Sequence, residues 1–157
     1  MVRMLIVYDT RYGNTKLVAE KIAEGTRKVG EIETDVVDVK KVDLKNMDSY
    51  DAILIGAPNH IGSPSRTIMK FIDELGKLQL KPKDSAVFDT HMGNDLKAAE
   101  KMEKRIREKV PALRLITPSL PTKVNGMRGP VAESELPLAI EFGEKIAAKL
   151  KTGSHTP

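Results

Sequence analysis

Cysteine is absent from the 157 residues, so disulfides, thiol catalysis and Cys-based zinc or iron–sulfur sites are excluded. Tryptophan is also absent, and only three Tyr and three Phe are present. Histidine occurs three times, at His60, His91 and His155, with no two at a metal-ligating i, i+4 spacing. No apolar run approaches the roughly 18 residues needed to span a bilayer. Met1, Val2 and Arg3 run straight into a short apolar stretch with no signal-peptide pattern. These absences predict a soluble, cytoplasmic protein without a metal.

What is present is a single domain's worth of chain, 40% hydrophobic and 31% charged. The net charge of +4, from 26 basic and 22 acidic residues, is a mild excess compatible with acidic partners or weak nucleic-acid contact, the plainer reading being solvated charge alternating along helices. Most charge alternates along helices, as in Glu100–Lys104, Glu103–Arg107 and Glu141–Lys145, each with the acid first. The basic residues Lys97, Lys101, Lys104, Arg105, Arg107 and Lys109 are interleaved with Glu100, Glu103 and Glu108. That pattern predicts a solvated helix face, not a nucleic-acid interface.

Short apolar runs alternate with amphipathic stretches. Strands are expected at 4–8, 34–39, 51–56, 85–89 and 113–116, and helices at about 14–29, 64–76, 95–110 and 133–150. Residues 117–130, rich in Pro and Gly, read as a loop with a short extended piece at Lys123–Val124. Residues 1–150 are expected to form one domain and 151–157 a frayed tail. The alternation predicts an α/β fold with a five-stranded parallel sheet in the doubly wound order 2-1-3-4-5. In such sheets ligands bind beyond the carboxyl ends of the strands, beside the first and third. The candidate site is therefore made by the loops after Tyr8, Ile55 and Phe88.

The first loop, Asp9-Thr10-Arg11-Tyr12-Gly13-Asn14-Thr15, combines hydroxyls, an amide and a glycine at the positive end of a helix. That is the composition of a phosphate cradle. It is neither a Walker loop nor the three-glycine dinucleotide fingerprint. An ordinary N-cap by Asn14 or Thr15 is the simpler alternative.

The segment Tyr8 to Gly25, with its Thr-x-x-x-Asn-Thr core and following helix, resembles the phosphate-binding segment of the flavodoxin family. Flavodoxin is itself a standing example of the doubly wound 2-1-3-4-5 topology. The resemblance implies a flavodoxin-like three-layer αβα sandwich, with matching element order over about residues 2–150, that binds FMN. By the resemblance Thr10, Asn14 and Thr15, with backbone N–H groups from Arg11 through Tyr12 and Gly13 to Thr15, hold the phosphate. Arg11 and Tyr12 depart from the small hydroxyl residues many flavodoxins carry there. Arg11 either adds a charge-assisted contact or points to solvent. The Tyr-Gly-Asn-Thr wording is also similar to flavodoxin-like quinone reductases.

The second loop, including Pro58, Asn59, His60, Ile61 and Gly62, lies by the resemblance against one face of the flavin. A peptide there, Ile61–Gly62 or else Asn59–His60, is expected to turn its carbonyl toward flavin N5. The plainer reading is a turn imposed by Pro58 and Pro64. The third loop, Asp89-Thr90-His91-Met92-Gly93-Asn94, lacks the Tyr or Trp that commonly stacks on the ring, so His91 or Met92 is expected to cover it. Either loop histidine can titrate near neutral pH or simply be solvated. The turn Val124 to Pro130 has no assigned mechanism.

The resemblance implies an electron-transfer protein working between redox partners that present an acidic docking face. An FMN-dependent NAD(P)H:quinone reductase is the alternative, with little chain left for a nicotinamide pocket. A flavin-free scaffold is the third reading. The topology also serves receiver domains, but the third strand ends Ile55-Gly56-Ala57 with no carboxylate to phosphorylate. Monomer and dimer are both compatible with the sequence.

Overall fold

The computed structural model describes residues 1–93 and 96–153. In chain order the elements are β1 (Val2–Tyr8), α1 (Asn14–Val29), β2 (Ile32–Asp38), β3 (Ala52–His60), β4 (Ser63–Pro64), α2 (Arg66–Gly76), β5 (Lys83–His91), α3 (Lys97–Lys109), β6 (Leu113–Leu115), β7 (Leu120–Lys123) and α4 (Leu136–Thr152). Short 3₁₀ turns occupy Val39–Lys41, Leu44–Ser49 and Glu133–Glu135.

The sheet runs β2-β1-β3-β5-β6, with β7 beside β5 and β4 beside β3. The main ladders are parallel. Residues of β1 alternate between two cores, as a strand buried on both faces requires. Met4, Ile6 and Tyr8 pack with Val18 and Ile22 of α1 and Ile146 of α4. Leu5 and Val7 pack with Ile68 and Ile72 of α2 and Ile106 of α3. The result is the expected three-layer αβα sandwich. Gly25 and Gly143 let α1 and α4 meet closely: a Cβ on Gly25 would run into the carbonyl of Ile140, and one on Gly143 into that of Ile22.

The expected fifth strand is split. β6 pairs only with Lys83–Ser85, while β7 pairs with Phe88–His91. The segment 117–130, expected to be a loop with a short extended piece at Lys123–Val124, instead contains a strand at Leu120–Lys123. Pro121 hid it, but proline is tolerated there because β7 lies at the sheet's edge. β5 begins at Lys83, two residues earlier than expected. Lys83 is buried and its ammonium is paired with Asp48 at 2.9 Å, which hid a charged residue inside a strand.

β3 continues to His60, beyond the expected end at Gly56, because it turns back into β4 as a hairpin. Pro64 therefore lies in β4, and α2 starts after Ser65, whose hydroxyl accepts from the Ile68 N–H. α4 starts at Leu136, not 133, and carries through Lys151 and Thr152, which were expected in the tail. Of the acid-first helix pairs, Glu141–Lys145 forms at 3.8 Å, whereas Lys104 turns to Glu108 at 4.0 Å. Asn94, the expected helix residue Asp95, and His155 lie outside the described residues.

Candidate functional site

The carboxyl ends of β1, β3 and β5 open onto a cleft of about 390 Å³. Its floor and first wall come from the loop between β1 and α1. Gly13 sits at φ +90°, a left-handed backbone that a β-carbon disfavours, and so turns the chain into the helix. Its N–H donates to Thr10 Oγ1 at 2.9 Å, which fixes the turn, and its carbonyl accepts from Leu17 at 3.0 Å. Gly13 is therefore the N-cap, and no side chain caps α1. The expectation of an ordinary Asn14 or Thr15 cap is not met. The first-turn N–H groups of a 16-residue helix are left for something other than a side chain.

The Thr15 hydroxyl is buried and shares a hydrogen bond of 2.9 Å with Thr90 Oγ1 on β5. That bond ties the first and third loops together. Thr122 on β7 pairs in register with Thr90, and its buried hydroxyl has no hydrogen-bond partner among the described residues. Hydroxyls thus extend inward from the cradle across two strands.

The second wall is the β3–β4 hairpin. Asn59 pairs with Pro64 and His60 with Ser63, so Ile61 and Gly62 are the two turn residues. Both have positive φ, +51° and +78°, as a type I′ turn requires. Asn59 Oδ1 accepts from the Gly62 N–H at 2.8 Å. Ile61 stands fully out in solvent. A β-branched residue in this conformation is an outlier that stores strain at the mouth of the cleft.

The third wall is the end of β5. His91 Nδ1 lies 2.7 Å from the carbonyl oxygen of Gly93. A carbonyl only accepts, so Nδ1 carries the proton and Nε2 is left as an acceptor. His91 is buried, whereas Met92 is exposed over the rim.

Of the expected residues, Thr10, Arg11, Tyr12, Asn14, Thr15, Pro58, Asn59, His60, Ile61, Thr90, His91 and Met92 line the cleft together. Gly13, Gly62 and Gly93 do not line it but shape the three loops. Val124 and Met127 form a fourth wall that was not foreseen. Their Gly-x-x-Gly-Pro turn was visible in the sequence, but nothing there gave its position. β7 carries the turn to the site: the Val124 N–H donates to the His91 carbonyl at 2.8 Å, and Gly129 passes so close to the Asn14 side chain that a Cβ would strike it.

Among the described residues no carboxylate lines the cleft, and Arg11 is the charged side chain that does. The Arg11 guanidinium stacks over Tyr12 at 5.3 Å from the ring centre, and Arg128 of the fourth loop approaches the same ring at 5.7 Å. Arg11 is thus held on an aromatic face at the rim. At the end of β1, burial pushes the Tyr8 hydroxyl above its usual range, aided by Asp38 and Glu20. No group of three or more His, Asp or Glu among the described residues is arranged to hold a metal ion.

A doubly wound parallel sheet with an uncapped helix start at its switch point, where such sheets bind ligands, places the chain among the doubly wound αβα proteins. The flavodoxin domain model matches residues 5–139, and the chain belongs to the flavodoxin family. A flavodoxin of Clostridium saccharobutylicum is 32% identical over 88 residues, covering 56% of this chain and 55% of that protein. An NAD(P)H dehydrogenase (quinone) of Cupriavidus metallidurans is 31% identical over 104 residues, covering 52% and 50%. The chain thus spans about half the length of these curated relatives. A solved flavodoxin from the domain Archaea superposes with a TM-score of 0.76 at 23% identity, covering 96% of this chain and 99% of that one, which speaks for the fold. No helix among the described residues is long and apolar enough to cross a membrane.

Proposed function

We propose that the cleft binds FMN and that the protein carries electrons between redox partner proteins. The observation that carries this reading is the uncapped start of α1 facing a cleft lined, among the described residues, by no carboxylate. A phosphate there meets free N–H groups, the helix dipole and nearby hydroxyls, with no repelling charge among the described lining residues. Thr10 shapes the cradle through Gly13, Asn14 lines it, and the Thr15–Thr90 bond fixes its base. FMN, when bound, supplies an aromatic ring that takes up and releases electrons one or two at a time.

The residues around the ring do the rest. Pro58, Ile61, Met92 and Met127 exclude water from it. Met92 and His91 stand in for the stacking aromatic that the third loop lacks. The Ile61–Gly62 peptide is the one to turn its carbonyl toward the ring, and its N–H is now held by Asn59. Turning it costs that hydrogen bond and changes backbone torsions only at Ile61 and Gly62. The +4 charge suits partners with an acidic docking face, and residues 1–150 act as one unit about the cleft.

The likeness to NAD(P)H dehydrogenase (quinone) supports a second reading, an enzyme that accepts hydride directly. The cleft volume, near the low end of roughly 300–1,000 Å³ for ligand pockets, favours one ring over two stacked ones. Anaerobic photoreduction of the FMN-loaded protein separates the readings. A carrier is reduced in two resolved one-electron steps and stays oxidised with NADPH alone. Rapid bleaching by NADPH alone supports the enzyme and overturns the carrier.

A further inference from the structure

Beside the cleft, α2 and α3 enclose a groove of about 480 Å³ whose lining includes Arg66, Lys70, Met69, Asp73, Lys101 and Arg105. Four cations face one carboxylate, a local excess of three in a chain whose whole excess is four. That carboxylate is already taken, since Arg105 Nη1 donates to both oxygens of Asp73 at 2.8 Å. Arg66 and Lys70 make no ion pair among the described residues.

The spacing is informative. Arg66 and Lys70 are i, i+4 on α2, and Lys101 and Arg105 are i, i+4 on α3. Like charges at that spacing destabilise a helix. Here two such pairs line one groove. Among the described residues lining the groove, Asp73 is the one carboxylate that offsets them, so an anion from outside would relieve the arrangement. The groove is also wired to the cleft: Lys101 Nζ donates to Ser63 Oγ at 2.8 Å, and Ser63 pairs across the hairpin with His60, which lines the cleft.

We propose that the α2–α3 groove docks an acidic segment of a partner protein, with Asp or Glu side chains lying between Arg66, Lys70 and Lys101. A partner seated there lies against the hairpin Asn59–Pro64 at the mouth of the cleft. That the partner is a redox protein rests on the electron-carrier reading; the acid-binding groove does not. Nucleic acid fits less well. Among the described residues no aromatic side chain lines the groove to stack a base, and Glu100, Glu103 and Glu108 on α3 repel a phosphate backbone that continues past it. Arg11 and Arg128 are a weaker candidate for the acidic segment, because both pack on Tyr12 and join two loops.

The test is an amide-shift titration of the ¹⁵N-labelled full chain, with and without saturating FMN, using a hexaglutamate peptide and a six-nucleotide oligo-dT. The expected result is shifts at residues 66–70 and 101–105 with the peptide, affinity falling as salt rises, and weaker binding of oligo-dT. The double variant Arg66→Gln/Lys70→Gln should bind the peptide about tenfold more weakly, while Lys145→Gln on α4 leaves it unchanged. Both altered residues are exposed, and a superimposable amide spectrum shows that the fold is kept. Shifts gathered at residues 11–16 or 124–130, wild-type affinity in the double variant, or tighter binding of oligo-dT would each overturn the proposal. If FMN fails to bind while the peptide still maps to the groove, the flavin reading falls and the groove stands.

Discussion

Ile61 should be replaceable by asparagine with a gain in stability. Its φ is +51° in the hairpin turn, and a left-handed backbone costs an ordinary L-residue about 1–2 kcal/mol. Asparagine visits that region several times more readily. The isoleucine side chain is 103% exposed, so removing it forfeits no burial. Ile61→Asn should therefore gain about 1 kcal/mol, which for a chain of this size raises Tm by about 2–4 °C. Ile61→Val keeps the β-branch and the strain and should stay within about 0.5 kcal/mol of the parent. Urea unfolding followed by circular dichroism measures both, with unchanged slopes showing that the same transition is compared. A loss of stability in Ile61→Asn would refute the argument, as would an equal gain in the valine variant. If the gain is found, the parent residue is held at a cost, which fits a hairpin kept for the cleft it borders.

Gly143→Ala places a methyl group against the Ile22 carbonyl and forces α1 and α4 apart, so it should cost about 2–3 kcal/mol in the same unfolding assay. Thr90→Val removes the partner of the buried Thr15 hydroxyl, and should cost about 1–2 kcal/mol and weaken FMN binding together. Asp48 is held below the usual carboxylate range by its hydrogen bond to Lys83, then by the Lys81 N–H. A depressed folded-state value means that its contribution is complete above the ordinary carboxylate range and fades as pH falls through the lower folded-state value. Asp48→Asn should accordingly flatten the acid limb of a stability-against-pH curve, and an unaltered limb would refute this.

The parts of the fold that were legible in the sequence are those in which local pattern and tertiary environment agree. Met4 to Tyr8 is apolar throughout because β1 is covered on both faces. The Thr10 to Thr15 motif is legible because a glycine turn into an uncapped helix uses few residue types. The hairpin is not legible because Ile61 carries no turn signal; a β-branched residue argues against left-handed backbone, and the β3–β4 pairing together with the Gly62 N–H bond to Asn59 holds it there. β7 was obscured by Pro121, which is harmless on an edge strand. Lys83 and Asp84 disguised the start of β5, since their charges are met by Asp48 and Arg114, distant in sequence. The fourth wall, Val124 and Met127, depends on where β7 delivers its loop, which no local pattern encodes.

The central claim is that the start of α1 holds the phosphate of a flavin. Titrating the protein into FMN and, separately, into riboflavin, with flavin fluorescence as the signal, tests it most directly, since riboflavin differs by lacking the phosphate. The absence of tryptophan keeps the protein's own signal low. The account predicts tight, saturable quenching of FMN and binding of riboflavin weaker by at least about tenfold, the loss of charge-assisted hydrogen bonds to the cradle. Equal affinity for the two flavins would contradict the cradle, and no binding of either would contradict the flavin site itself.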